Sequence, residues 1–222
     1  MPADRALILD FGGVITRTLF ETHAMTEDAL GLPRGTLTWR GPFAPESDPL
    51  WQRMQAGGIS ERGYWAERTR EVAALIGADW QEMSDFVRAA RGADPEAVIR
   101  PEARTAIAEV KAAGHALAIL SNELDLFYGA EFRDRLPFLT DFDVIVDATY
   151  TGILKPDPRA YRDCLDRLGL PAGACVFVDD QRRNIDGAGA VGLRTVHFDV
   201  TDPGGSYAAA LGALRSIERP GP

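Results

Sequence analysis

Near the start of the chain a run of small and aliphatic residues, Ala6-Leu7-Ile8-Leu9, passes without polar interruption into Asp10 and, after Phe11, into the pair Gly12-Gly13. An apolar run this short and unbroken reads as a strand buried on both faces, which belongs in the middle of a parallel sheet covered by helices on either side. Asp10 then stands at the strand's carboxyl end, where open α/β sheets hold their ligands. Gly12 and Gly13 let the backbone turn sharply and bring free N–H groups toward an anion. An acid ahead of glycines is also ordinary turn chemistry, so the segment needs company before it means function.

The rest of the chain falls into two regimes. From Thr18 to Ala93 the apolar residues recur at helical spacing and no strand signal appears. Phe20, Met25, Ala29 and Leu30 predict one helix closed by Gly31, and a shorter one is expected at Leu50–Ala56. Ser60 is a candidate N-cap for a third, and Asp79–Ala90 a fourth, ended by the segment GADP. From Pro101 onward strands and helices alternate: a helix to Gly114, strand HALAILSN, a helical stretch at Leu124–Phe132, strand Phe142–Val146, helix Pro158–Leu168, strand CVFVDD, helix Asn184–Val191, strand Leu193–Phe198 and helix Tyr207–Ile217. This alternation predicts an α/β fold, a Rossmann-like parallel sheet with helices on both faces, interrupted by an inserted all-helical domain. The expected boundaries are a core of 1–17 and 96–222 and an insertion of 18–95.

Composition narrows the function. Thirty-three acids against 24 bases give a formal charge of −9, with no Lys/Arg cluster, which excludes an ordinary nucleic-acid binder. A site for an anionic substrate must therefore carry its own local cation. Cys164 and Cys175 lie among apolar neighbours without metal-ligand spacing, and His23, His115 and His197 are scattered, so neither disulfide nor zinc is expected. No secretory leader or membrane-length apolar run is evident, and the expectation is a cytoplasmic protein, monomer or homodimer, with no membrane or nucleic-acid partner.

The polar residues that end the strands form a pattern. Asp10 ends the first strand, Ser121-Asn122 the next, and Asp179-Asp180 the strand CVFVDD, while Lys155 lies in the loop TGILKPDPRAY. A parallel sheet brings these to one edge. Three carboxylates together repel one another, a divalent cation relieves that repulsion, and an oxygen-rich set with few protein ligands suits Mg²⁺. Lys155 supplies the positive charge a phosphoryl group needs, and Ser121, Asn122 and the N–H groups of Gly12 and Gly13 supply donors. The set suits phosphoryl transfer with a carboxylate nucleophile on a small phosphorylated substrate. Each piece alone has a plainer account: LSN as a strand end with a cap, KPDP as a turn, the paired acids as helix capping.

Taken in order, the Asp-containing strand, LSN, KPDP and VDD resemble the haloacid dehalogenase-like (HAD) hydrolase superfamily, most closely subfamily I, whose helical cap is inserted after the first motif. The resemblance covers essentially the whole chain, and KPDPRAY and FVDDQRRNIDGAGAVG are its most specific segments. It implies that Asp10 attacks phosphorus to form an aspartyl-phosphate. It further implies that Asp10, the backbone carbonyl of Gly12 and Asp179 hold Mg²⁺ with Asp180 in support. Ser121, Asn122 and Lys155 would bind phosphate, Lys155 would also steady Asp10, and Asn184 would brace the last loop.

One departure matters. Phosphatases of the superfamily usually carry a second acid where this chain has Gly12, and its loss removes a general acid/base worth about 10²–10⁴ in rate. Glu123, Glu21 and His23 are the candidate surrogates; a leaving group that needs no proton is a second explanation, and a slow or non-catalytic ligand-binding protein a third. A 2-haloacid dehalogenase also needs no acid, but that branch typically places an aromatic residue at the Gly12 position and lacks the paired acids. Trp39, Phe43, Trp51, Met54, Tyr64 and Trp65 concentrate large apolar surface in the insertion, most of it expected to be that domain's own core, with one or two residues left to select the leaving group.

Overall fold

Strand β1 (Ala6–Leu9) is the axis of the core; none of its four residues is more than 1% exposed. The computed structural model describes residues 3–91, 96–122, 124–125 and 134–217. Chain contacts divide the protein into two compact units, one of Met1–Arg17, Ile99–Asp125 and Leu136–Pro222, the other of Thr18–Val98 and Leu126–Arg135.

In the first unit β1 is followed by a five-residue turn, Phe11–Ile15, and after the inserted unit the chain re-enters at helix α5 (Pro101–Ala112), numbered after the helices α1–α4 that the insertion shows among the described residues, at His23–Leu30, Pro49–Gln55, Glu61–Ile76 and Met83–Arg91. Then come β2 (Ala116–Ser121), β3 (Val144–Asp147), a single helical turn α6 (Ala148–Thr151), α7 (Pro158–Leu168), β4 (Cys175–Asp179), α8 (Arg182–Val191), β5 (Arg194–His197) and α9 (Pro203–Arg215). The five strands are parallel in the order β3-β2-β1-β4-β5. β1 thus lies between β2 and β4, with Ala6 opposite Ala116 on one side and Cys175 on the other. This is the mostly parallel, helix-covered sheet expected from the alternation of elements.

Local chemistry explains the boundaries. α7 starts where the Asp157 carboxylate accepts the Arg159 N–H with Pro158 in the first turn, buries Ala160, Tyr161, Cys164 and Leu165, and stops at Gly169 in the left-handed region. α9 begins earlier than the expected Tyr207, because Asp202 caps it through the Gly205 N–H and Pro203 fits its first position. β3 begins at Val144 rather than Phe142, since the Phe142 N–H is taken by the Leu139 carbonyl of a preceding 3₁₀ turn. α8 starts two residues before Asn184.

The inserted unit contains α1 (His23–Leu30), α2 (Pro49–Gln55), α3 (Glu61–Ile76) and α4 (Met83–Arg91). Ser60 caps α3 through the Gly63 N–H. α4 starts later than Asp79 because the Asp85 carboxylate reaches back to the Gln81 and Glu82 N–H groups, a capping arrangement that fixes the start at Met83. The unit's core is aromatic: Phe20 meets Trp39, Trp51, Tyr64 and Trp65 with ring centroids 5.1–6.0 Å apart. Below it the fully buried Asp48 accepts hydrogen bonds from the Gly41 and Trp51 N–H groups, the Tyr64 hydroxyl and the Arg68 guanidinium. Of the large apolar residues singled out in the sequence, Trp39 and Tyr64 are buried, Trp51, Met54 and Trp65 pack half-buried against them, and Phe43 is 40% exposed. The GADP segment and the helical stretch expected at Leu124–Phe132, apart from Leu124 and Asp125, lie outside the described residues.

Candidate active site

Asp10 continues the ladder one step past β1, its N–H bonded to the Val178 carbonyl at 2.9 Å. Its carboxylate Oδ1 lies 2.7 Å from Nζ of Lys155, and the same ammonium lies 2.7 Å from Oδ2 of Asp179. The Lys155 side chain is 1% exposed, and its ammonium also sits 5.4 Å from the centre of the Phe177 ring. Lys155 therefore bridges the ends of two adjacent strands, β1 and β4.

Several residues hold this bridge in place. The Asn122 carboxamide accepts the Lys155 N–H at 2.7 Å and donates to the Lys155 carbonyl at 3.2 Å, clamping the backbone of the lysine. The Lys155–Pro156 peptide is cis. Gly187 of α8 lets the next turn approach closely: a Cβ there would stand 2.8 Å from Pro156 Cβ and 3.0 Å from both the Pro156 carbonyl and the Tyr161 hydroxyl. On the other side, Asp179 accepts the Gln181 N–H at 2.8 Å and the Asn184 amide at 3.0 Å. His197 Nε2 donates to the Asp180 carbonyl at 3.0 Å.

The electrostatics follow from two buried acids sharing one base. Burial pushes the Asp10 carboxyl up to about 6; Lys155 opposes that shift and Asp179 adds to it. Burial disfavours the Lys155 charge, but Asp10 and Asp179 together reverse this and carry its pKa well above the ordinary value. One oxygen from each of Asp10, Asp179 and Asp180 lies within 4.8 Å of the others. Three hard oxygen donors converging with only one ammonium leave an excess of negative charge, and this donor set fits a small divalent cation such as Mg²⁺.

Other residues picked from the sequence are placed differently. Gly13 holds φ 80°, which requires glycine, whereas Gly12 at φ −71°, ψ 124° does not. Ser121 is buried at the end of β2. Asn122, expected to bind phosphate, spends both ends of its amide on the backbone of Lys155, so its visible role is to place the lysine. The Glu21 carboxylate accepts the Thr18 N–H and hydroxyl, both at 2.8 Å, inside the inserted unit; the spacing T-x-x-E is the sequence signature of this cap. His23 is buried edge-on against Trp39, 4.3 Å between ring centres, and burial together with Arg40 lowers its pKa to about 4, leaving it neutral near pH 7 with no acidic proton to give. Glu123 lies outside the described residues. Two residues the sequence did not single out, Arg100 and Tyr207, reach the turn after Asp10 with their side chains. Nothing in their neighbourhood in the chain marks them, since Arg100 reads as the residue ahead of a helix and Tyr207 as part of an apolar face.

Fold and donor set together place the protein among α/β enzymes that work at the carboxyl edge of a parallel sheet. The chain belongs to the haloacid dehalogenase-like hydrolases, whose family model matches residues 5–192. It is 34% identical over 200 residues to (S)-2-haloacid dehalogenase 4A of Burkholderia cepacia, covering 86% of this chain and 78% of that protein. It is 26% identical over 239 residues to the phosphoserine phosphatase of Thermus thermophilus, covering 98% and 92%. Against the mouse protein named acyl-CoA dehydrogenase family member 10 it is 30% identical over 198 residues, 88% of this chain but only 18% of that much longer protein. The structure of the HAD-hydrolase YfnB from Bacillus subtilis, bound to magnesium, shares the fold with a TM-score of 0.62 at 17% identity, covering 88% and 87% of the two chains. No helix among the described residues is long and apolar enough to cross a membrane.

Proposed function

We propose that this hydrolase is a Mg²⁺-dependent phosphatase that cleaves a small phosphorylated metabolite through an aspartyl-phosphate on Asp10. The observation that carries the reading is the convergence of Asp10, Asp179 and Asp180 within 4.8 Å around a lysine that already neutralises one of them. A haloacid substrate gives such a site no use for a second and third acid, whereas a phosphate ester needs the cation they would hold.

Asp10, Asp179, Asp180 and the Gly12 carbonyl are the residues that would hold Mg²⁺, which when bound supplies positive charge against the phosphate oxygens. The Asp10 oxygen not bonded to Lys155 attacks phosphorus, and the bond from phosphorus to the leaving oxygen breaks as the P–O bond to Asp10 forms. Lys155 keeps Asp10 ionised and oriented and adds a donor for the phosphoryl group. Water then attacks the aspartyl-phosphate, releasing phosphate and regenerating the carboxylate. With glycine at position 12, no side chain there protonates the leaving oxygen, which favours substrates whose leaving group departs as an anion.

One observation favours a second reading. A missing acid is no handicap when the leaving group is halide, and a similar protein carries the name of a 2-haloacid dehalogenase. A panel of phosphate esters and acyl phosphates, assayed with Mg²⁺ and with EDTA, separates the readings from each other and from a ligand-binding protein without turnover. Phosphate release that needs Mg²⁺ and vanishes in Asp10→Asn is the expected result. Halide release from 2-haloacids in EDTA, or ligand binding without turnover, overturns it.

A further inference from the structure

The turn that carries the chain away from Asp10, Phe11–Ile15, is tied both to itself and to residues far along the chain. Within Phe11–Ile15 and the residue after it, the Thr16 N–H bonds the Phe11 carbonyl at 3.0 Å, and the Gly13 N–H reaches the Thr16 hydroxyl only at 3.4 Å. With two adjacent glycines such a turn has wide conformational freedom. Restraint also comes from far along the chain. Arg100 Nε donates to the Gly13 carbonyl at 3.0 Å, the Tyr207 hydroxyl donates to the Val14 carbonyl at 3.1 Å, and the Arg100 N–H takes the Ile15 carbonyl at 2.9 Å. Three consecutive carbonyls are thus fixed by two residues that are 2% and 3% exposed.

These two side chains share a backing. The Arg100 guanidinium lies 5.6 Å from the centre of the Phe198 ring, and Phe198 meets Tyr207 edge to face at 5.2 Å. Phe198 itself donates its N–H to the Asp179 carbonyl at 2.9 Å. One buried cluster therefore grips the backbone on both sides of the Lys155 bridge, the turn after Asp10 and the end of β4. Burying a guanidinium is costly, and a carbonyl can be satisfied more cheaply by a neutral donor. A planar donor stacked on a ring gives something a flexible one does not, a fixed direction.

We infer that Arg100 and Tyr207 are positioning residues, which set the direction of the Asp10 carboxylate by holding the backbone that follows it. The inference rests on Asp10 as the reacting group and holds whichever leaving group it displaces.

The test uses Tyr207→Phe, which removes one hydroxyl and keeps the ring, and Arg100→Lys, which keeps the charge and loses the planar donor. Turnover of the best substrate is measured alongside hydrogen–deuterium exchange of the metal-free protein. A misplaced reacting group costs up to about 10²-fold, so a fall of about tenfold in kcat with KM within about twofold is expected for each variant. Exchange should quicken severalfold in the peptide spanning Phe11–Thr16 and stay unchanged in β2. Wild-type kcat per folded molecule in both variants, or a loss that only tracks a lower folded fraction, overturns the inference. Should the wild-type chain turn over neither phosphate esters nor haloacids, the reading of Asp10 fails separately. Exchange then decides: unchanged rates in the turn overturn the tether, and selective quickening supports it.

Discussion

Gly12→Asp is the substitution that most directly probes the chemistry. The backbone there, φ −71°, ψ 124°, is open to any residue, and a Cβ would meet no atom within 4 Å. A carboxyl can thus be installed without strain two residues after Asp10. Lower freedom of the unfolded chain contributes about 0.4–1 kcal/mol of stability, and repulsion from Asp10, Asp179 and Asp180 offsets it, so Tm stays within about 4 °C of wild type. The rate is where the change shows. A general acid contributes about 10²–10⁴, or about 3–5 kcal/mol of barrier, but only where the leaving oxygen needs a proton. Hydrolysis of simple alkyl phosphates should rise at least about 10²-fold, while that of 4-nitrophenyl phosphate, whose phenolate leaves unaided, should rise little. The neighbouring acids raise the pKa of the new carboxyl, so the gain is greatest on the acid side and fades as pH rises. A folded Gly12→Asp protein with no gain on alkyl phosphates, when Asp10→Asn still abolishes activity, refutes the reasoning: the proton then already comes from elsewhere.

Lys155→Met leaves the carboxylates of Asp10 and Asp179 buried without their shared cation and should cost about 3–5 kcal/mol in urea unfolding, more in EDTA than in Mg²⁺. Because burial raises the Asp10 pKa to about 6, the folded metal-free protein holds a proton that the unfolded chain loses near its ordinary 3.8. That contribution is fully present below the unfolded value and is lost as pH rises to about 6, so Asp10→Asn in EDTA should gain on wild type by roughly 3 kcal/mol across this window. Urea unfolding at stepped pH checks it, and parallel curves would count against it. Gly187→Ala drives a methyl into Pro156 and should cost about 1–3 kcal/mol and reduce turnover through Lys155, as read by unfolding and kcat together. Burial pushes both Cys164 and Cys175 up to about 12, so neither thiol should react with a thiol-specific reagent at pH 8 until the protein unfolds.

Where one segment carries its own instruction, the sequence was enough. The unbroken run Ala6–Leu9 gives a central strand, and Pro158 with Gly169 brackets a helix over the same residues found in the structure. The strand ends Asp10 and Asp179 and the loop residue Lys155 were legible because a parallel sheet sends its carboxyl ends to one edge. What was not legible depends on which of several partners a polar group takes. The Asn122 amide suits a phosphate as well as a peptide, and only the fold brings the Lys155 backbone within its reach. Arg100 is the residue ahead of a helix and Tyr207 part of an apolar helix face until the turn after Asp10 arrives against them. The starts of α4 and α9 differ from the expected ones because the carboxylates of Asp85 and Asp202 decide the caps.

The position of β1 in the sheet has a consequence for synthesis. It is made first, yet both strands that flank it come much later, one beginning at Ala116 and the other at Cys175. All of Thr18–Val98 is synthesised before either exists. A nascent chain therefore carries its most apolar strand unpaired for most of its elongation, and loop closure over such separations is slow. Truncation anywhere before Cys175 leaves that strand bare on one side, which makes incomplete chains of this protein prone to self-association rather than merely inactive.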